Sequence, residues 1–159
     1  MRAASILLLV LAAAPATAQT LPDYRDDRST PEAVVQSLYN AIERKELARA
    51  WSYFEGDAAK PFAEFAAGYD TTRHVRVRLF TPSSEGAAGS IFSSVPTVVE
   101  AVSDAGTSVF AGCYELRLVQ PAAQIEPPFR PLAITKGSLA EVRDTFDAAK
   151  GHCTGEGTE

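Results

Sequence analysis

The sequence predicts an α+β domain in which three N-terminal helices pack on a curved, mainly antiparallel sheet. Three observations carry that reading. Apolar residues recur at i, i+3, i+4 and i+7 three times between residues 30 and 69. After Thr71 the period changes to two, and β-branched residues become frequent. Glycine and proline clusters cut this second half into short consecutive strands, the order expected of helices covering one face of a meander.

The first helix opens at Ser29-Thr30-Pro31-Glu32. Ser29 or Thr30 can cap it, Pro31 fits a first turn whose N–H needs no partner, and Glu32 completes a capping box if Ser29 is the cap. Val35, Leu38, Tyr39 and Ile42 then share one face. A polar turn over 43–46 leads to a second stripe of Leu47, Ala50, Trp51 and Phe54, broken by Gly56-Asp57. Pro61 opens the third helix, whose stripe is Phe62, Phe65, Ala66 and Tyr69. Six of the fourteen aromatic residues lie on these stripes, so the helices cover a large apolar surface.

Residues 72–80 alternate Val75, Val77 and Leu79 with His74, Arg76 and Arg78, a strand. Residues 81–89 read as a loop. Residues 90–103 form a longer strand, with Pro96 implying an edge or a bulge. Asp104-Ala105-Gly106 is a hairpin turn. Residues 107–120 return, with Phe110, Tyr114, Leu116 and Leu118 on one face and Cys113, Glu115 and Arg117 on the other. Four prolines make 121–131 a connection. A short strand follows over 132–135, and the spacing of Leu139, Val142 and Phe146 after Ser138 predicts a short closing helix.

The N-terminus reads as a secretory signal peptide over 1–18. Arg2 precedes an apolar run over 6–14, and Ala16-Thr17-Ala18 supplies the small-residue cleavage site. The run is too short for a good membrane span. Cleavage after Ala18 would leave one domain of 141 residues: a polar lead-in over 19–29, the α+β body over 30–149 and a polar tail over 150–159. The expected location is periplasmic or secreted. Loss of Arg2 takes the net charge from −5 to −6, which argues against nucleic acid and anionic membranes as partners. Cys113 and Cys153, an even count in an exported chain, point to one disulfide tethering the tail to a strand. Free thiols or a pairing between chains are the alternatives.

Tyr39 on the first helix, the tight turn over 43–46 and Leu47-Ala48-Arg49-Ala50-Trp51 on the second, followed by antiparallel strands, resemble the NTF2-like superfamily of SnoaL-type cyclases and ketosteroid isomerase, over residues 30–135. The chain is most similar to the exported bacterial branch of that superfamily. The resemblance implies a cone-shaped half-barrel enclosing a pocket, often with a homodimer across the sheet. In the isomerase branch a tyrosine lies nine residues before the apolar residue that opens the second helix. Here that position is Leu38, and Tyr39 stands about 100° further round. The dehydratase branch uses a His–Asp pair in the cone, for which Asp70 and His74 are the candidates. His74 alternates with arginines rather than with Val75 and Val77, the pattern of a solvated strand residue.

The aromatic set Tyr39, Trp51, Phe54, Phe65, Tyr69 and Tyr114 is the candidate ligand pocket, with plain core as the bland alternative. Arg73, Arg76 and Arg78 read as a charged strand face that discourages edge pairing rather than as an anion site. His74, His152 and the cysteines lack metal-ligand spacing, so neither a metal nor a cofactor is expected. No nucleotide-binding or nucleophile-elbow motif occurs. The expected function is non-catalytic binding of a small apolar molecule or an exported partner protein. A SnoaL- or isomerase-type enzyme using Asp70 and His74, and a dimerising module with a filled cone, are the rivals.

Overall fold

The computed structural model describes residues 21–153. The predicted signal peptide and the end of the tail lie outside the described residues. The elements are α1 (Pro31–Glu43), α2 (Leu47–Trp51), α3 (Phe62–Ala67), β1 (Thr72–Leu79), β2 (Ser83–Ala87), β3 (Ser90–Ser103), β4 (Gly106–Val119) and β5 (Ala133–Val142). All strand pairs are antiparallel, in the order β1-β3-β4-β5, with β2 also on β3. This is the α+β arrangement the sequence predicts.

Thr30, not Ser29, caps α1, and its side chain accepts the N–H of Ala33 at 3.1 Å. The stripe of Val34, Val35, Leu38, Tyr39 and Ile42 is buried against the sheet. Lys45, at φ 61°, takes the left-handed conformation that ends the helix, and its ammonium group donates to the carbonyls of Thr72 and Arg73.

The second stripe does not run to Phe54. The helix stops at Ser52, and the chain then pairs with β5: Ile134 donates to the carbonyl of Tyr53, and Glu55 donates to Ile134. Tyr53 is the residue this brings into the core, fully buried with its hydroxyl donating to Asp26 at 2.7 Å.

The expected loop over 81–89 contains β2, which pairs with β3 across a two-residue turn of Ala88 and Gly89, both at positive φ. Its Ser-Ser-Glu-Gly-Ala sequence is exposed throughout, so no apolar alternation marks it. Pro96 lies on a central strand, not an edge. Its carbonyl accepts from Phe80, so its missing N–H faces the same side, at the gap between the stretches of β3 that pair with β2 and β1. No ladder hydrogen bond is lost there.

The predicted closing helix is absent: 133–142 is one strand. A bulge opposite Glu115 and Leu116 changes its parity, so Ile134, Gly137 and Leu139 face the helices while Val142 faces the other way. Both faces of the sheet are covered here, and apolar residues three apart on opposite faces imitate helical spacing.

On the outer face, Val98, Val109, Phe146 and Ala149 form a second small core. Arg76 pairs with Glu100 through two hydrogen bonds, and Arg78 donates to the carbonyls of Phe146, Asp147 and Ala149. Arg78 therefore clamps the C-terminal segment, Arg76 adds a face-on contact to the Phe146 ring, and Arg73 pairs instead with Asp104 at the β3–β4 turn. Cys113 and Cys153 form a disulfide within the chain, their Cα atoms 4.9 Å apart. Gly151 packs so tightly on the backbone of Pro96 and Thr97 that a side chain there would collide. The polar lead-in is likewise docked: Asn40 bonds to the backbone of Asp23 and Arg25, Ser37 to that of Asp27, and Arg49 to the carbonyl of Arg25.

Candidate functional site

The concave face of the sheet is only partly filled. Toward the β3–β4 turn its inward positions shrink from Val95 and Val99 to Ala101 and Ser103, faced by Ser108 and Phe110. Across β4 and β5, Gly112 opposes Leu139 and Tyr114 opposes Gly137. A Cβ on Gly137 would stand 2.8 Å from the Tyr114 ring, so that ring occupies the space a side chain would have taken. Under these small residues lies a cavity of about 440 Å³, walled by Phe65, Tyr69, Val75, Val99, Phe110 and Leu139. A second space of about 590 Å³ opens toward Phe54, Asp57 and Lys136. The two share Lys60, Phe65, Tyr69, Tyr114 and Leu139, and are two arms of one concavity.

The polar feature of the first arm is a pair of tyrosines. α1 brings Tyr39 and β4 brings Tyr114, so that their hydroxyl oxygens lie 2.7 Å apart with both side chains about 95% buried (5% exposed). Burial pushes both phenols above their ordinary value, and the neighbouring Tyr69 adds to this; Tyr69 itself is raised by burial. All three are therefore neutral at physiological pH. Each hydroxyl has one proton, and only one is used between the two oxygens. The pair thus retains one O–H donor, plus lone pairs, for a third group. Lys60 and Glu64 sit at the rim, paired with each other at 2.8 Å. Lys136 in the second arm is paired with Glu115 at 2.8 Å.

Of the predicted pocket residues, Tyr39, Phe65, Tyr69 and Tyr114 line the first arm, and Phe54 the second. Trp51 lines neither. It stands at the end of α2, half-buried against Phe62, with its indole N–H on the carbonyl of Lys60 at 2.7 Å. Stopping α2 at Ser52 turns Trp51 outward and lets Tyr53 take the core position. Asp70 and His74 are not brought together in the concavity. Asp70 is exposed after α3, and His74 lies on the side of β1 away from Val75, with Nδ1 2.8 Å from Glu43. Regular pairing from His74 opposite Val102 to Leu79 opposite Thr97 fixes that orientation. Among the described residues no group of three His, Cys, Asp or Glu side chains could hold a metal ion.

Sequence reasoning missed Ala101, Ser103 and Ser108, which make the space, and Gly137, which makes room for the Tyr114 ring. The available signal was a run of small residues in phase with the core valines of β3.

No protein-family model and no curated protein matches the sequence. The structure is similar to the crystal structure named "Putative Scytalone Dehydratase" from Novosphingobium aromaticivorans, at 8% identity and a TM-score of 0.53, over 80% of this chain and 92% of that one. The fold is the NTF2-like cone that the helix and strand pattern resembles. At that identity the likeness extends to the fold alone.

Proposed function

We propose that this chain is a non-catalytic binding domain that takes a small, neutral, mostly apolar molecule into the concavity and holds one of its oxygens on the Tyr39–Tyr114 hydroxyl pair. The observation that carries the reading is that pair: a buried, uncharged donor–acceptor with hydrogen-bonding capacity left over, set among apolar walls. Sites of this volume lined mainly by apolar groups with a few convergent polar ones suit small ligands. A charged ligand would find no unpaired opposite charge at the tyrosine pair and would lose its hydration.

An enzyme is the second reading, prompted by the dehydratase name of the structural neighbour. Against it stands the lining of the first arm, whose titratable groups are three neutral tyrosines and a rim Lys60–Glu64 pair, with no histidine as general base. We take the site to work outside the cytoplasm. The disulfide and the lack, among the described residues, of a helix long and apolar enough to cross a membrane accord with an extracellular protein. Export through residues 1–18 belongs to the same proposal.

The test is equilibrium binding of 1-naphthol and naphthalene, two probes that differ by one hydroxyl. 1-Naphthol should bind about fivefold tighter, the contribution of one net hydrogen bond, and replacing Tyr39 and Tyr114 together by Phe should erase the difference. Equal affinities in the native protein would remove the hydroxyl pair from the site. Turnover of isomerase or dehydratase substrates would favour the enzyme.

A further inference from the structure

α3 is the least anchored part of the wall. None of its residues is buried, and its backbone hydrogen bonds among the described residues are all local, within 61–72. The segment that carries it runs from Gly56, in the left-handed region at φ 60°, to Gly68 at the C-terminal end of α3. What holds it is side-chain contact. Phe65 meets Phe54 at 5.7 Å and Tyr69 at 5.1 Å, Phe62 meets the edge of Trp51 at 6.3 Å, and the Trp51 indole N–H holds the Lys60 carbonyl at the start of the segment. Lys60, Phe65 and Tyr69 line both arms of the concavity. α3, with Phe65, and the flanking Lys60 and Tyr69 thus form the wall where the arms meet, and displacing the segment would open the concavity above Tyr114.

We propose that α3 is the gate of the concavity and that Trp51 is its latch. A thin segment with few buried contacts is the kind that opens locally without global unfolding. The latch acts on the closed form whether or not the cavity is filled. It thus slows uptake and release together and leaves affinity nearly unchanged, whereas a residue that merely shaped the wall would change affinity. This inference rests on the binding reading above for its ligand, but the motion of α3 can be observed without one.

The experiment uses Trp51→Phe, which keeps a ring against Phe62 and removes the N–H. In stopped-flow binding of 1-naphthol, association and dissociation rates should both rise about fivefold, the scale of one hydrogen bond, with the dissociation constant within about twofold of native. An unchanged association rate, or a change confined to affinity, overturns the gate. Hydrogen exchange separates this from failure of the binding reading. With no ligand, amides of residues 65–69 should exchange far faster than those of Leu38 and Ile42 on α1, and about fivefold faster again in Trp51→Phe while α1 is unchanged. Protection of α3 equal to that of α1, or insensitive to the variant, refutes the gate even if 1-naphthol binds. If 1-naphthol fails to bind while α3 exchanges as expected, the gate stands and the ligand assignment falls.

Discussion

Removing the Tyr39 and Tyr114 hydroxyls singly and together isolates the interaction on which the site depends. The oxygens are 2.7 Å apart and both side chains are buried. Tyr39→Phe leaves the Tyr114 hydroxyl without its partner, and Tyr114→Phe does the reverse. Each single change forfeits a net hydrogen bond of about 0.5–1.5 kcal/mol and strands a polar group whose desolvation costs about 1–3 kcal/mol. Because the pair borders a cavity that admits water, the lower part of that range applies, and we expect about 1–2 kcal/mol for each variant. The double variant removes both polar groups and keeps the ring shapes, so it strands nothing. It should cost no more than either single change, giving a coupling of about 1 kcal/mol or more. Urea denaturation, with midpoints compared at a constant slope, reads these values. Single losses below about 0.5 kcal/mol that sum to the double loss within error would show that the two hydroxyls do not depend on each other.

The disulfide should contribute to stability independently of the cavity. Cys113 and Cys153 are 40 residues apart, and loop closure of that length corresponds to about 4 kcal/mol at most. The C113S/C153S variant should lose about 2–4 kcal/mol in urea without losing 1-naphthol binding, since the bond lies on the outer face. Unaltered stability would contradict this. The tyrosines also set an alkaline limit. Tyr39, Tyr69 and Tyr114 hold their protons in the folded chain above the ordinary tyrosine value of 10.0, whereas in the unfolded chain they ionise near it. The folded state then binds more protons, so stability is retained below about pH 10 and falls as pH rises beyond it. The fall should be shallower in the Tyr39/Tyr114 double Phe variant, and identical slopes would refute the assignment.

The fold was legible where a single surface decides the pattern. α1 buries one stripe, and β1 and β4 keep most core-facing residues in phase, so their periods can be read directly. Reading failed where one residue serves two surfaces or none. β5 covers both faces and is shifted by a bulge, which made Leu139, Val142 and Phe146 look helical. β2 buries nothing and so carries no apolar signal. The second stripe was read one turn too far, because the pairing of Tyr53 and Glu55 with Ile134 is a long-range contact that no local spacing records. Within the site, Tyr39, Phe65, Tyr69 and Tyr114 were legible as inward aromatics on the right elements. The hydroxyl contact between α1 and β4 spans 75 residues of sequence and was not. Nor was the hollow, which depends on short side chains at Ala101, Ser103 and Ser108 and so leaves only small residues as its mark.

The most direct test of the central claim is residue-resolved NMR titration of the native protein with 1-naphthol. The account predicts saturable one-to-one binding, with shifts concentrated at Val99, Phe110, Tyr114 and Leu139 and an affinity about fivefold lower when Tyr39 and Tyr114 are both replaced by Phe. Shifts confined to exposed apolar residues such as Phe92, Ile125 and Phe129, or no saturable shift at all, would contradict it.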